Sequence, residues 1–280
     1  MSRGAEGKRR LRRTRLALAA ALASAGAYVA LAYLLLPWAW THHEHQPGLR
    51  DRPMTTRTAE GIAGDPINVG LVGSRADVLR AMQSAGWSPA DPVTWRTSLE
   101  IVGSVVLDRP YRDAPVSPLY YDGRREDLAF EKPVGGSAER RHHVRFWEGL
   151  RSGTEGRPVW LGSATFDRSV GFSRYTGAVT HHVAPDIDDE RDGLARDLAA
   201  AGAVDTTYTI SGIGPTLLGR NGEGDRYVTD GEVLLSVLRP DGETRTAPPA
   251  ERPAPALVGL KDRLFRTFLR PDRGAAGGDP

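Results

Sequence analysis

Cysteine is absent from this chain of 280 residues. Without a thiol, the protein can form no disulfide, no thiolate zinc site and no cysteine nucleophile. The sequence also lacks the Gly-x-Ser-x-Gly turn that carries the nucleophile of many hydrolases. Gly212-Ile213-Gly214 has no strand-to-helix context and is a poor match to a dinucleotide-binding loop. These absences exclude several enzyme classes, and the lack of cysteine is compatible with an oxidising compartment.

The basic excess of the chain is confined to its start. The first fifteen residues carry seven Lys or Arg and one acid, a net charge of +6, whereas the whole chain carries +2. Residues 16–280 therefore sum to −4. Because binding to nucleic acid depends on a basic surface, we expect no nucleic-acid partner.

An uncharged apolar run follows these basic residues. Leu16 to Leu36 spans 21 residues without a charge, and a helix needs about 20 residues to cross the hydrocarbon core of a bilayer. Trp38 and Trp40 follow at the position of interfacial aromatics. We predict a basic cytoplasmic tail over 1–15 and a transmembrane anchor over 16–40, with the lipid bilayer as partner from Leu16 to Trp40.

The arrangement of charge around this anchor also predicts a location. Basic residues remain on the cytoplasmic side of a membrane span. We therefore expect a single-pass protein of the plasma (inner) membrane, with its N-terminus in the cytoplasm and its folded domain outside, where a membrane protein partner is also possible. A cleaved signal peptide is the alternative, since Ala30-Leu31-Ala32 resembles a cleavage site. The apolar run continues past that site, which favours an uncleaved anchor.

The rest of the chain divides by composition into a tether over 41–64, a folded domain over 65–240 and a Pro-rich tail over 241–280. Two helices are predicted in the domain, one starting at Ser74 with Asp77 as its capping-box partner and one starting near Pro185. The predicted strands are Ile67–Val72, Leu99–Leu107, Arg141–Trp147, Pro158–Phe166, Ala178–Val183, Val204–Ile210 and one or two within Tyr227–Leu238. This order predicts the α+β class, with a mixed or antiparallel sheet behind a single N-terminal transmembrane helix.

The tail contains a short amphipathic segment. Its apolar residues are Leu257, Leu260, Leu264, Phe265 and Phe268, and Lys or Arg residues lie between them. Such a helix either packs on the domain or lies on a membrane surface, because both placements require the same apolar face.

Short motifs across the domain resemble a known family, the LssY C-terminal domain family. The matching runs are Pro66–Gly70, Ala85–Trp87, Ala114–Tyr120, Gly123-Arg124, Asp127–Phe130, Arg141–Trp147, Val159–Gly162, Thr180–Val183 and Asp186–Arg191. The resemblance implies no particular reaction. Some longer members carry a membrane phosphatidic-acid phosphatase domain, but this sequence has one apolar span and neither the Lys-x6-Arg-Pro nor the Pro-Ser-Gly-His motif of those enzymes.

Two histidine doublets, His142-His143 and His181-His182, lie on predicted strands. Side chains alternate between the faces of a strand, so each doublet points one imidazole to each side, and one from each doublet could meet if the strands pair. We expect acid–base catalysis from His143, His182 and Asp186. A divalent metal is a possible cofactor, with ligands among His142, His143, His181, His182 and Asp188. In the alternative interpretation these histidines are structural and Asp186 caps a helix.

Several arginines provide a second group of candidates. Arg124, Arg145 and Arg174 are expected to bind an anionic ligand, since guanidinium groups suit phosphate and carboxylate; surface salt bridges are the alternative. The sequence therefore supports two hypotheses. The first is an extracytoplasmic, envelope-associated module that binds an anionic ligand or a membrane partner. The second is a hydrolase, with or without a metal, acting on a phosphate-containing envelope substrate.

Overall fold

The computed structural model describes residues 3–35, 46–49, 52–90, 96, 118–135, 140–175, 177, 179–210, 218–254 and 256–268. The chain divides into two compact units, residues 1–43 and residues 44–280. The predicted strand Leu99–Leu107, the turn Gly212-Ile213-Gly214 and the tryptophans at 38 and 40 lie outside the described residues.

The described part of the first unit is a single long helix. Helix α1 comprises Arg3–Ala30 and continues as a π-helical turn over Leu31–Leu35. Its segment Arg9–Leu35, of 27 residues, is long and apolar enough to cross a membrane. At about 1.5 Å per residue it exceeds the hydrocarbon thickness of about 30 Å. A signal sequence near an N-terminus has the same properties, so the helix is a candidate span.

The second unit is a sheet with helices, and capping residues fix where its helices begin. Helix α2, Arg75–Ser84, starts at Ser74, whose Oγ accepts from the Asp77 N–H at 3.1 Å while the Asp77 carboxylate accepts from the Ser74 N–H at 2.9 Å. Helix α3, Ile187–Ala200, starts at Asp186, which accepts from the Asp189 N–H at 3.3 Å. Helix α4, Ala256–Phe268, follows near the end of the described chain.

The strands pair into one mixed sheet and two small ones. The described strands are β1 Thr55–Arg57, β2 Ala63–Pro66, β3 Val69–Val72, β4 Ser88–Pro89, β5 Tyr120–Tyr121, β6 Arg124–Arg125, β7 Leu128–Pro133, β8 Arg141–Leu150, β9 Val159–Phe172, β10 Val179–Val183, β11 Val204–Ile210, β12 Leu218–Arg220, β13 Arg226–Val228, β14 Val233–Leu238 and β15 Ala250–Glu251. The main sheet has the order β15-β11-β14-β3-β9-β8-β7-β4, with β10 also paired to β9, and the small sheets are β2-β1-β5-β6 and β12-β13. Pairs β14–β3 and β11–β15 are parallel and the others antiparallel, which confirms the predicted α+β class.

Strand β9 is the centre of the main sheet. Its first residues pair with β3, its last residues with β10, and β8 runs along its other edge. One face of this sheet carries Val144, Phe146 and Trp160 and packs in one apolar cluster with residues of α2 and α3. The opposite face carries a second apolar cluster that includes Trp147 and Leu161. Farther along β8 and β9, that same opposite face becomes polar.

The folded unit extends beyond both ends of the predicted domain over 65–240. Gln46 and Leu49 are fully buried, and β1 lies within the predicted tether because its backbone pairs with β2 and β5. In the predicted tail, β15 pairs with β11, and α4 buries Val258 and Phe265. The tail helix therefore packs on the domain through one face and exposes other residues, Leu260 and Leu264 among them.

Candidate functional site

Six polar residues of β8 and β9 lie side by side on the face of the sheet opposite α2 and α3. Their cross-strand pairs are Arg141 with Asp167, His143 with Thr165 and Arg145 with Ser163. All six are buried, with exposed fractions of 3 to 7%. Alternation along each strand places them on one face, whereas their sequence neighbours point to the helices. We call these six residues the polar strip.

Carboxylates from neighbouring strands contact the two arginines of the strip. Arg141 bonds Asp167 through Nε at 3.1 Å and Glu131 of β7 through Nη1 at 3.0 Å. Arg145 lies 3.6 Å from Asp65 of β2, measured from Nη1 to Oδ2. Burial raises the pKa of Asp65 and of Glu131, and the adjacent arginine only partly offsets that rise. Both acids can therefore take up a proton more readily than an exposed carboxylate.

Three atoms of the polar strip are buried without a hydrogen-bond partner: Arg141 Nη2, His143 Nε2 and Ser163 Oγ. Each of them can donate a hydrogen bond. Leaving such a group unpaired costs about 1–3 kcal/mol, and buried polar groups in native proteins almost always bond to protein, water or an ion. Other such atoms among the described residues lie on different elements, in Thr58, Arg239 and Asp262. Three of the six unpartnered buried atoms found among the described residues therefore lie in the polar strip.

Burial favours the neutral form of the His143 imidazole. Burial lowers its pKa well below the usual 6.5, and the positive charges of Arg145 and Arg141 and the nearby His181 lower it further. One ring nitrogen of a neutral imidazole carries a proton and the other accepts one. His143 can therefore either donate a hydrogen bond or receive a proton from a bound group.

The four histidines of the doublets occupy different environments. His143 and His181 are close enough for the charge of one to affect the other. His142 instead contacts Glu190 of α3, with Nδ1 at 2.8 Å from Oε2. His182 contacts Asp225, with Nδ1 at 2.8 Å from Oδ1. One imidazole from each doublet therefore influences the other electrostatically, and each of the remaining two pairs with a carboxylate.

The predicted acidic residues have structural partners. Asp186 caps α3, as the alternative interpretation proposed. Asp188 is buried and accepts hydrogen bonds from Thr229 Oγ1 at 2.6 Å and from the Asp230 N–H at 2.8 Å. Across the described ranges, no three His, Asp or Glu side chains are grouped so as to hold one metal ion. The predicted ligands His142, His143, His181, His182 and Asp188 therefore do not form one site there.

Of the predicted arginines, Arg145 lies in the polar strip. Arg124 is exposed on β6 and donates to the Glu148 carbonyl at 2.8 Å. Arg174 is exposed in the turn after β9. Sequence reasoning missed Ser163 and Asp65 as site residues. The alternation of polar residues at 163, 165 and 167 would have predicted the three residues that β9 contributes to the polar strip.

The polar strip falls within a segment that matches a known family. The family model described as the LssY C-terminus matches residues 47–233. The chain belongs to the LssY_C family. This assignment confirms the resemblance found in the sequence, and every residue of the polar strip lies inside the matched range. Neither the curated proteins nor the solved structures include a match to the chain.

Proposed function

We propose that this protein is a membrane-anchored LssY_C domain whose polar strip binds an anionic group, with phosphate as the leading chemical class. The observation that carries the proposal is the set of three unpartnered buried donors, Arg141 Nη2, His143 Nε2 and Ser163 Oγ. Guanidinium groups suit the oxygens of phosphate and carboxylate. When His143 Nε2 carries the proton, the Ser163 hydroxyl oxygen is the one acceptor that these three groups could offer to a cation.

The carboxylates around the strip link this binding to pH. An incoming anion adds negative charge beside Asp65, Glu131 and Asp167. Because burial already raises the pKa of Asp65 and Glu131, one of them can take up a proton when the anion binds. The affinity for an anion should therefore rise as the pH falls towards the raised pKa values of these acids.

The test is calorimetric titration of the full chain in detergent. Sulfate is the probe for the pH series, because it does not titrate near neutral pH, and inorganic phosphate is the second probe. Each hydrogen bond to a charged group contributes about 1.5–3 kcal/mol, so Ser163→Ala and His143→Gln should each weaken binding roughly tenfold or more. Arg124→Gln, an exposed arginine outside the strip, is the control. Equal affinity in the wild type and both strip variants would contradict the proposal.

Hydrolysis of a phosphate-containing envelope substrate is the second candidate function. His143 supports it, because burial and the adjacent arginines favour the neutral imidazole, the form in which histidine can accept a proton. Turnover of a phosphomonoester should be measured with and without divalent ions. If the protein is a hydrolase, His143→Gln should abolish turnover, whereas His182→Ala, which changes the other doublet, should retain it. Absence of turnover in the wild type would contradict the hydrolase function, and anion binding would then be the only function proposed.

The proposed location is the plasma (inner) membrane, with the N-terminus in the cytoplasm and the folded unit outside. The basic residues before the candidate span support this orientation. A reporter enzyme that is active only after export, fused after Pro280, should be active. Mass spectrometry of the mature N-terminus should find the residues before Leu16 intact, and a start after Ala32 would identify a cleaved signal peptide instead.

A further inference from the structure

Two neighbouring hairpins expose apolar and cationic side chains together. The β9–β10 hairpin carries Phe172 and Tyr175, exposed by 69% and 52%, and the β12–β13 hairpin carries Leu218, exposed by 62%. Arg174, Arg220 and Arg226 are exposed on the same two hairpins. We call these residues the hairpin patch: Phe172, Arg174, Tyr175, Leu218, Arg220 and Arg226.

Direct contacts join the two hairpins. The Arg174 N–H donates to the carbonyl of Glu223, in the β12–β13 turn, at 3.1 Å. The side chain of Arg174 lies so close to Gly224 that a Cβ at that glycine would stand 2.9 Å from the Arg174 Cβ. Asp225 contacts His182 of β10 at 2.8 Å. The two hairpins therefore form one continuous surface.

No carboxylate among the described residues forms a salt bridge with the arginines of the patch. Arg220 and Arg226 are directly opposite each other on an antiparallel pair, where like charges are destabilising. Within the part of the chain that the structure describes, neither they nor Arg174 forms a salt bridge. Of the nearby acids, Asp225 pairs with His182, and Glu223 is close enough to Asp65 to raise its pKa. The hairpin patch is therefore cationic as well as apolar.

We propose that the hairpin patch docks on an anionic bilayer surface. Tyrosine favours the interface between lipid and water, and each basic residue near an anionic leaflet adds to the attraction. The same chain carries the candidate span Arg9–Leu35, which would keep a bilayer at high effective concentration. The hairpin patch shares no residue with the polar strip. A failure of membrane docking would therefore not contradict anion binding in the strip, and a failure of anion binding would not contradict docking.

The absence of cysteine in the chain makes a direct test possible. Tyr175→Cys can be labelled with an environment-sensitive fluorophore in the full chain and reconstituted into nanodiscs. The discs contain either phosphatidylcholine alone or phosphatidylcholine with phosphatidylglycerol. In discs with the anionic lipid, the emission should shift to the blue and be quenched by doxyl-labelled lipids. Both effects should weaken in high salt, which screens the arginines.

Matched variants and label positions determine which residues contact the anionic bilayer. Arg226→Gln should weaken docking roughly fivefold, the value expected for one basic residue at an anionic surface. A label at Ser152→Cys, on an exposed polar loop, should show no quenching. A label at Leu264→Cys tests the exposed apolar side of α4. The proposal is wrong if position 175 is not quenched, if it is quenched equally without anionic lipid, or if only position 264 is quenched.

Discussion

Two buried guanidinium groups, those of Arg191 and Arg141, have contrasting surroundings. They are exposed by only 6% and 7%. Arg191 bonds Asp230 through both terminal nitrogens, at 2.7 and 3.1 Å, and Asp192 through Nε at 2.9 Å. It also donates to the Glu232 carbonyl at 3.1 Å. Each of its three nitrogens has a partner, as expected where a buried charge serves to stabilise the fold.

Arg141 has a partner for only part of its guanidinium group. Nε and Nη1 bond Asp167 and Glu131, while Nη2 has no partner, and His143 and Ser163 on the same strip also have an unpartnered atom. The fold therefore provides hydrogen-bond partners for all three guanidinium nitrogens of Arg191 and for only two of those of Arg141. The difference distinguishes a buried cation whose nitrogens are all paired from one that is paired only in part.

Removing the fully paired cation should have the largest effect on stability. Arg191→Met would leave Asp230 and Asp188 buried without their counter-charge, and breaking a buried pair in this way costs about 3–5 kcal/mol. Arg196→Met, on the exposed side of the same helix, should stay within about 0.5 kcal/mol of the wild type. Denaturant unfolding of the full chain in detergent measures both. Equal losses in the two variants would contradict the structural role of Arg191.

Hydroxyl groups in the same polar clusters as the two arginines should also differ in what they contribute to stability. Thr229→Val removes the donor to Asp188 and should cost about 1–3 kcal/mol. Ser163→Ala removes a hydroxyl with no partner, so without ligand it should be nearly neutral or slightly stabilising. Unfolding free energies in anion-free buffer test this difference. A loss in Ser163→Ala as large as that in Thr229→Val would mean that the serine already has a structural partner.

The smallest expected effect is a change in how stability depends on pH. The pKa of His143 is lowered in the folded state, so below about pH 6.5 the unfolded chain binds a proton that the folded protein does not. The stability of the wild type should therefore fall with falling pH, by at most about 1.4 kcal/mol per pH unit from this group. His143→Gln should reduce that slope. An unchanged slope would show that His143 takes up its proton while folded.

Local features of the fold could be predicted from the sequence. The capping box of α2 and the N-cap of α3 depend on residues three apart, such as Ser74 and Asp77. The alternation of the doublets predicted that His142 and His143 lie on opposite faces. Both inferences need only the geometry of one helix or one strand.

Long-range pairing could not be predicted in the same way. Strand β1 and the start of β2 lie in a polar segment that was predicted to be a tether, and β1 forms there by pairing with β2 and with β5. The contact between Asp65 and Arg145 joins residues 80 positions apart. His142 and His143 also have different surroundings, and the contact of His142 depends on where α3 places Glu190. None of these partners is specified by spacing along the chain.

The most direct test of the anion-binding claim is anomalous diffraction from crystals of the protein soaked in selenate. We predict an anomalous peak at the polar strip, with selenate oxygens within about 3 Å of one or more of the unpartnered atoms Arg141 Nη2, His143 Nε2 and Ser163 Oγ. Ordered water alone on those three atoms, with no peak at the strip, would contradict the account.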